Sequence, residues 1–197
     1  MRQIDSWHYR QRILSFFGRV NYDYKSKYLL SLVLRRDGYS KLPKDNRWGT
    51  FPGISAGWVL SRENFMESCS NVLSYAKIRA SYGANGNVSG VLDANGNVVT
   101  GLDYYTVQGS YGIMKDKDGK IVPNYNGKVP LMINDLPNPT MRWEKSYTFE
   151  TGFDIGFLNN KYILNFTYYN RHTQDKFAEI TLPSHSGVSS FLSNNGE

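Results

Sequence analysis

Cysteine is almost missing from this 197-residue chain, with only Cys69 present. A single thiol excludes an intrachain disulfide, and no metal-ligand spacing surrounds it, so a small semi-buried residue is the expected role. Histidine is nearly as scarce. His8, His172 and His185 have no serine or cysteine partner in a recognisable motif. Ser184–Gly187 (SHSG) is not a nucleophile elbow, which needs Gly-x-Ser-x-Gly between strand and helix. No catalytic constellation and no cofactor motif is present, so the chain is not read as an enzyme. Asp116-Lys117-Asp118-Gly119 resembles the start of a calcium loop, but the later ligands are missing. A hairpin turn is the better reading, and no metal site is expected.

Long apolar runs are absent too. No stretch approaches the roughly 18 residues of a membrane-crossing helix. The mean hydropathy of −0.50 points the same way. Neither excludes a membrane β-barrel, whose alternating strands average to a polar value. The first twelve residues, MRQIDSWHYRQR, lack the apolar region of a secretory signal. A membrane β protein must be exported, so Met1 is expected not to be the native start and the chain to be a fragment. The net charge of +6 and pI near 9.3 raise nucleic acid as a partner. The basic residues are spread along the chain instead of clustering, and anionic lipid headgroups explain the charge equally well. No nucleic acid is expected.

What the chain does have is alternation. In Lys145–Asp175, Tyr147, Phe149, Phe153, Ile155 and Phe157 occupy one parity, with only Thr151 breaking the apolar run. Thr148, Glu150, Gly152, Asp154 and Gly156 occupy the other. After Leu158-Asn159-Asn160-Lys161 the pattern resumes, with Tyr162, Leu164, Phe166 and Tyr168 against Asn165, Thr167 and Arg171. A period of two is the strand signature, so this is a hairpin of two long antiparallel strands. One aromatic face and one charged or tiny face is the pattern of a barrel hairpin with lipid outside and a polar lumen inside. A soluble β-sandwich gives similar alternation with shorter strands and a polar outer face.

Four more strands follow the same rule, over Arg10–Tyr22, Tyr28–Asp37, Thr50–Leu60 and Tyr75–Gly83. Pro52 predicts an irregular start to the third. Ser61–Ser74 loses the alternation and predicts a short helix capped by Ser61. Residues 84–144 form a long loop whose Asn85-Gly86, Asn95-Gly96, Asn126-Gly127 and Asp118-Gly119 steps are candidate sub-hairpin turns. Connectors after odd strands (23–27, 61–74, 158–161) are short or compact, and those after even strands (38–49, 84–144, 176 onward) are longer. Barrels keep short turns in the periplasm and long loops outside. The fold class is therefore all-β, an antiparallel transmembrane β-barrel segment of about six strands with long extracellular loops. This orientation puts Tyr22, Tyr28, Trp58, Phe157 and Tyr162 at the periplasmic interface as an aromatic belt. They would instead be ordinary core aromatics in a sandwich.

Tyr22–Trp58, YDYKSKYLLSLVLRRDGYSKLPKDNRWGTFPGISAGW, closely resembles the signature of SusC/RagA-type TonB-linked outer-membrane transporters. Leu73–Asn87 (LSYAKIRASYGANGN) is similar to that family's "LKLRASYGxTGN" element, with Tyr75-Ala76 in place of its usual start. Asn138–Glu144 (NPTMRWE), continuing to Phe157, is similar to its "NPxLKWE…GxDxGF" element, and YYNRHTQD follows. The resemblance implies an importer with a barrel of roughly 22 strands and a plug in the lumen. It further implies energy from an inner-membrane TonB complex and a SusD-like lipoprotein lid. The substrates it implies are oligosaccharides, sometimes peptides. The TonB box, the plug and the remaining strands have no counterpart here.

With strands four and five paired across the long loop, Lys77 and Arg79 fall beside Glu150 and Asp154 on the lumen wall. They pair with each other, as ordinary wall ion pairs, or with a plug or substrate. Tyr104, Tyr105, Tyr111 and Tyr125 in the outer loop are candidates for stacking on a glycan or meeting a peptide. Packing within the loop, or against the lid, is the other reading. The remaining rivals are a secreted glycan-binding β-sandwich and a non-transporting outer-membrane barrel or adhesin.

Overall fold

The computed structural model describes residues 10–69, 71–89, 91–92, 98–100, 102, 106–122, 126 and 128–196. Its main body is one six-stranded antiparallel sheet in the order β1-β2-β3-β4-β9-β10. The strands are β1 (Ile13–Tyr24), β2 (Tyr28–Tyr39), β3 (Trp48–Val59), β4 (Leu73–Asn87), β9 (Glu144–Phe157) and β10 (Tyr162–Gln174). Each has 12 to 15 residues, about twice the usual soluble strand. Three further hairpins lie in the connections at one end. They are β5 (Val91–Leu92) with β6 (Val98–Thr100), β7 (Ser110–Ile113) with β8 (Leu131–Asp135), and β11 (Lys176–Thr181) with β12 (Ser190–Gly196).

Register decides which face each side chain takes. Tyr22, Leu30, Ala56, Ile78 and Phe153 sit on one face, because Tyr22 pairs with Leu30, Leu30 with Ala56, Trp58 with Ile78 and Ile78 with Phe153. The same face continues on β10 through Phe153↔Phe166 and Ile155↔Leu164. Its large apolar side chains stay exposed, among them Leu14, Phe16, Val20, Leu32, Leu34, Ile54, Leu164 and Phe166. Each would gain roughly 1.5–3 kcal/mol from full burial. Among the described residues no second layer covers them, which removes the sandwich reading. Lipid is the environment that accepts such a face. Thr151 breaks the apolar run harmlessly, since its hydroxyl donates to the Arg79 carbonyl at 3.2 Å.

The short hairpin turns, those expected on the periplasmic side, are tight. Lys25 and Ser26 both adopt positive φ between β1 and β2, and the Asp23 carboxylate accepts the Ser26 amide at 2.7 Å. Leu158, Asn159 and Asn160 all have positive φ between β9 and β10. Asparagine tolerates that region better than most residues.

Several expected elements differ. The predicted helix over 61–74 is a pair of 3-10 segments, Leu60–Arg62 and Asn64–Cys69, and Ser61 caps nothing. With only a dozen residues to return the chain from β3 to β4, tight turns replace a full α-helix. Cys69 is exposed, not semi-buried. Pro52 leaves β3 regular. It pairs with Leu34, and β3 meets β4 only from Gly53 onward, so the proline lies where the strand has a single neighbour. Asn85-Gly86 is not a turn, because β4 runs straight through it paired to Ser146 and Lys145. Asp118-Gly119 is a turn, closed by the Lys115↔Ile121 bridge with Gly119 at φ 78°. Asn95-Gly96 lies outside the described residues.

The buried core sits at the end of the sheet that carries the long connections. Tyr39, Leu42, Phe51, Ala84, Leu102, Met141, Trp143, Phe177 and Leu192 form it. Trp143 packs edge-on against Phe51 and Tyr39, at 5.5 and 6.4 Å between ring centroids.

Candidate functional site

The face opposite the lipid side is polar. Its side chains include Asn21, Asp23, Ser31, Ser55, Lys77, Arg79, Ser81, Glu150 and Asp154, as the pairings Asn21↔Ser31↔Ser55↔Ser81↔Glu150 require. This face carries a groove of about 530 Å³ bounded by Asp23, Ser31, Ser55, Lys77, Arg79 and Glu150. Small residues on β3 (Ser55, Gly57) and Ser81 on β4 keep the groove open between its charges.

All four predicted wall charges lie on this face. Lys77 is directly opposite Asp154, and Ser81 is opposite Glu150. The ion pair, however, runs diagonally, from Arg79 Nε to Asp154 Oδ2 at 3.4 Å. Arg79 Nη2 also donates to Thr167 on β10 at 2.5 Å. A planar guanidinium reaches two strands at once, whereas a lysine ammonium on its flexible stem does not. Among the described residues Glu150 and Lys77 have no ion-pair partner. With Arg19 and Arg171 on the same face, they are charges without an ion-pair partner among the described residues.

At the short-turn end Tyr22, Tyr28, Trp58 and Tyr162 are exposed on the lipid face, and Phe157 pairs with Tyr162 beside them. Tyr28 and Trp58 stack at 6.3 Å. Below them sits Glu63, which sequence reasoning missed. It accepts the Trp58 indole N–H at 3.1 Å and the Lys27 ammonium at 3.1 Å. The Trp58 bond first, then the Tyr28 hydroxyl and Lys27, hold the Glu63 carboxyl below the ordinary carboxylate range. The local signal was weak, since a charged residue in a polar connector is ordinary.

Glu63 ties the β1–β2 turn to the β3–β4 connector, with Arg62 Nη1 donating to the Ser26 carbonyl at 3.0 Å alongside. A carboxylate with a depressed folded pKa stabilises above its unfolded pKa, and that stability is lost as pH falls through the folded value. Hydrogen exchange at the Val59 amide, which donates to the Lys27 carbonyl at 2.8 Å, is expected to accelerate as pH falls below the ordinary carboxylate range. After correction for intrinsic exchange, Glu63→Gln should show protection that no longer changes there. An identical pH profile for both proteins would rule the clasp out.

At the outer end, Asn138–Glu144 is a clamp. Asn138 Nδ2 donates to the Leu192 carbonyl at 2.8 Å, and its Oδ1 accepts the Thr140 amide at 3.1 Å. Arg142 pairs with Asp175 at 2.6 Å, while Asn194 bonds the Arg142 backbone in both directions. The Trp143 indole donates to the Arg47 carbonyl at 2.9 Å. The loop after β2, the segment before β9 and the β11–β12 hairpin are thereby joined into one rim. Of the four candidate tyrosines, Tyr111 stands on β7, 74% exposed. Tyr104, Tyr105 and Tyr125 lie outside the described residues. Among the described residues no group of three or more His, Cys, Asp or Glu is placed to hold a metal.

A sheet of long antiparallel strands, lipid-facing on one side and polar on the other, defines the wall of an outer-membrane β-barrel. The family is specific. A family model described as "TonB dependent receptor-like, beta-barrel" matches residues 3–197, and the chain belongs to that family. It is 36% identical over 185 residues to TonB-dependent receptor P3 of Formosa agariphila. It is 33% identical over 183 residues to TonB-dependent receptor SusC of Bacteroides thetaiotaomicron. These alignments cover 94% and 93% of this chain and 17% of each relative, so the chain spans about a sixth of their length. The RagAB peptide importer in its "open-open" state superimposes with a TM-score of 0.75 at 25% identity, over 94% of this chain and 18% of that one. The siderophore receptor PirA of Pseudomonas aeruginosa shares the fold, with a TM-score of 0.52 at 15% identity over 93% of this chain and 28% of that one. The chain is thus part of a SusC/RagA-type barrel of the outer membrane.

Proposed function

We propose that this chain forms part of the wall of a TonB-dependent importer for oligosaccharides or other nutrients, working with a SusD-like lid lipoprotein. The observation that carries this reading is the alignment of nearly the whole chain with SusC and with the RagAB importer. The polar face supports it, since a wall around a moving or docked body needs fixed charges. In this reading Arg79 and Asp154 brace the wall, while Lys77 and Glu150 face a plug supplied by the rest of the protein. The belt tyrosines and Trp58 anchor the periplasmic edge in lipid. Tyr104, Tyr105, Tyr111 and Tyr125 are the substrate-contact candidates, from an outer loop carried on a rigid scaffold.

Uptake tests it. Deleting the full-length gene should abolish uptake of at least one class in a panel of labelled oligosaccharides and peptides. Purifying the full-length protein from outer membranes should retain a surface lipoprotein. Glu150→Lys in that protein should slow uptake while leaving heat-modifiable barrel mobility unchanged. Unaltered uptake across the whole panel after deletion would refute the importer. Unaltered uptake in Glu150→Lys alone would reduce that residue to ordinary wall structure.

A further inference from the structure

Two consecutive arginines on β2 point to opposite faces and meet opposite circumstances. Arg35 is on the lumen side and pairs with Asp37 at 2.8 Å. Arg36 is on the lipid side, level with Phe16 and Thr50. Among the described residues it has no carboxylate within ion-pair distance. Its guanidinium lies instead 5.5 Å from the centroid of Trp48. Trp48 stacks on Phe16 at 6.1 Å and lies flat over Gly38, where any Cβ would be 2.9 Å from the ring. The result is an open cation held on an aromatic platform.

Its height matters. From Tyr28 to Arg36 the strand advances eight residues, about 27 Å, or roughly 20 Å along the membrane normal at a usual barrel tilt. With Tyr28 at the periplasmic edge, Arg36 sits within about 5 Å of the outer boundary of the roughly 25 Å apolar band, where a lipid-facing charge costs much less than at the midplane. Arg12 lies two same-face positions further outward, beyond Leu14, which is level with Gly38. The Arg12 amide donates to Ser40 Oγ at 2.9 Å and its carbonyl accepts the Ser40 amide at 3.0 Å, continuing the β1–β2 register.

Directly inward from Arg36 the lipid face is grooved. The groove has a volume of about 490 Å³ and is lined by Gly18, Val20, Leu32, Leu34, Ile54 and Tyr82. Gly18 creates the depression, since a Cβ there would meet nothing within 4 Å. A cation on aromatic rings at the headgroup level, with an apolar trough running inward below it, matches one amphiphile.

We propose that this is a lipid-binding site on the outer wall. Arg36 on its Trp48 platform takes the phosphate of an outer-leaflet headgroup, and an acyl chain lies in the groove over Gly18. A guanidinium–phosphate contact at an interface supplies charge-assisted hydrogen bonds, and the trough supplies apolar contact.

Native mass spectrometry of the full-length receptor in neutral detergent tests it, with dioleoyl phosphatidylglycerol and phosphate-free dioleoylglycerol as probes. The phosphatidylglycerol should bind about tenfold more tightly, and Arg36→Gln should remove about that factor. Gly18→Val, whose Cβ would meet nothing within 4 Å, should weaken binding of both lipids while heat-modifiable mobility stays normal. Equal binding of the two lipids, or an Arg36→Gln protein that binds phosphatidylglycerol as well as the parent, overturns the proposal. So does full displacement of the lipid by excess inorganic phosphate, which would mark a simple anion site. Gly18→Val that binds both lipids normally removes the acyl-chain half.

Discussion

Trp143→Ala is expected to cost the outer rim about 3–5 kcal/mol, the usual range for deleting a buried tryptophan. Trp143 is 5% exposed and lies between Phe51 and Tyr39 at the centre of the rim core. Its removal leaves a cavity where three loop segments meet. The strands below do not depend on it, so the barrel should still form. The effect should therefore appear as rapid proteolysis from the outer side of the full-length protein, with heat-modifiable mobility preserved. Trp143→Phe should be milder. It keeps most of the packing and loses the indole bond to the Arg47 carbonyl, which still accepts the Tyr39 amide at 3.1 Å. That carbonyl is not orphaned, so the further loss should be about 0.5–1.5 kcal/mol. Proteolysis of Trp143→Ala at the parental rate would show that the rim is held elsewhere.

Gly152→Ala should damage the wall itself. β9 is paired on both sides, by β4 and β10, so its backbone has no freedom to retreat. A Cβ at Gly152 would sit 2.3 Å from the Phe166 carbonyl oxygen and 3.3 Å from Arg79 Nη2. The first neighbour is backbone and the second is the Asp154-paired guanidinium, so both the ladder and the ion pair must shift. Overpacking of this kind costs about 1–3 kcal/mol, and a smaller folded fraction should result in refolding followed by heat-modifiability. Gly18→Ala is the control. It adds the same methyl group to open space and should stay within about 0.5 kcal/mol of the parent. Equal folded fractions for the two variants would show that the β9–β10 contact yields cheaply.

Glu63 shows how a residue gains a role that its own neighbourhood in sequence does not announce. It stands in a connector that reads as polar and unremarked, and its partners Trp58, Tyr28 and Lys27 come from β3, β2 and the β1–β2 turn. The expected Lys77/Arg79 and Glu150/Asp154 cluster was legible because pairing β4 with β9 follows from face parity once the long loop is skipped. Which pair closes was not legible. Register sets Lys77 against Asp154, yet side-chain reach joins Arg79 to Asp154. The NPTMRWE segment was recognisable as a motif, but its function as a clamp depends on Arg47, Asp175, Leu192 and Asn194.

Six strands, the parity of their faces and their antiparallel pairing were determined by the sequence alone. The reason is that alternation with a period of two is local, and lipid outside with a polar lumen inside turns each strand into an independent reading of the same rule. The Lys145–Asp175 hairpin came through with its turn and both faces as expected. The rim core, the 3-10 return between β3 and β4, the run of β4 through Asn85-Gly86 and the Arg36–Trp48 platform were decided only in three dimensions. Each depends on which irregular segments arrive together, or on how far one side chain reaches across its neighbours, and neither carries a repeating signal along the chain.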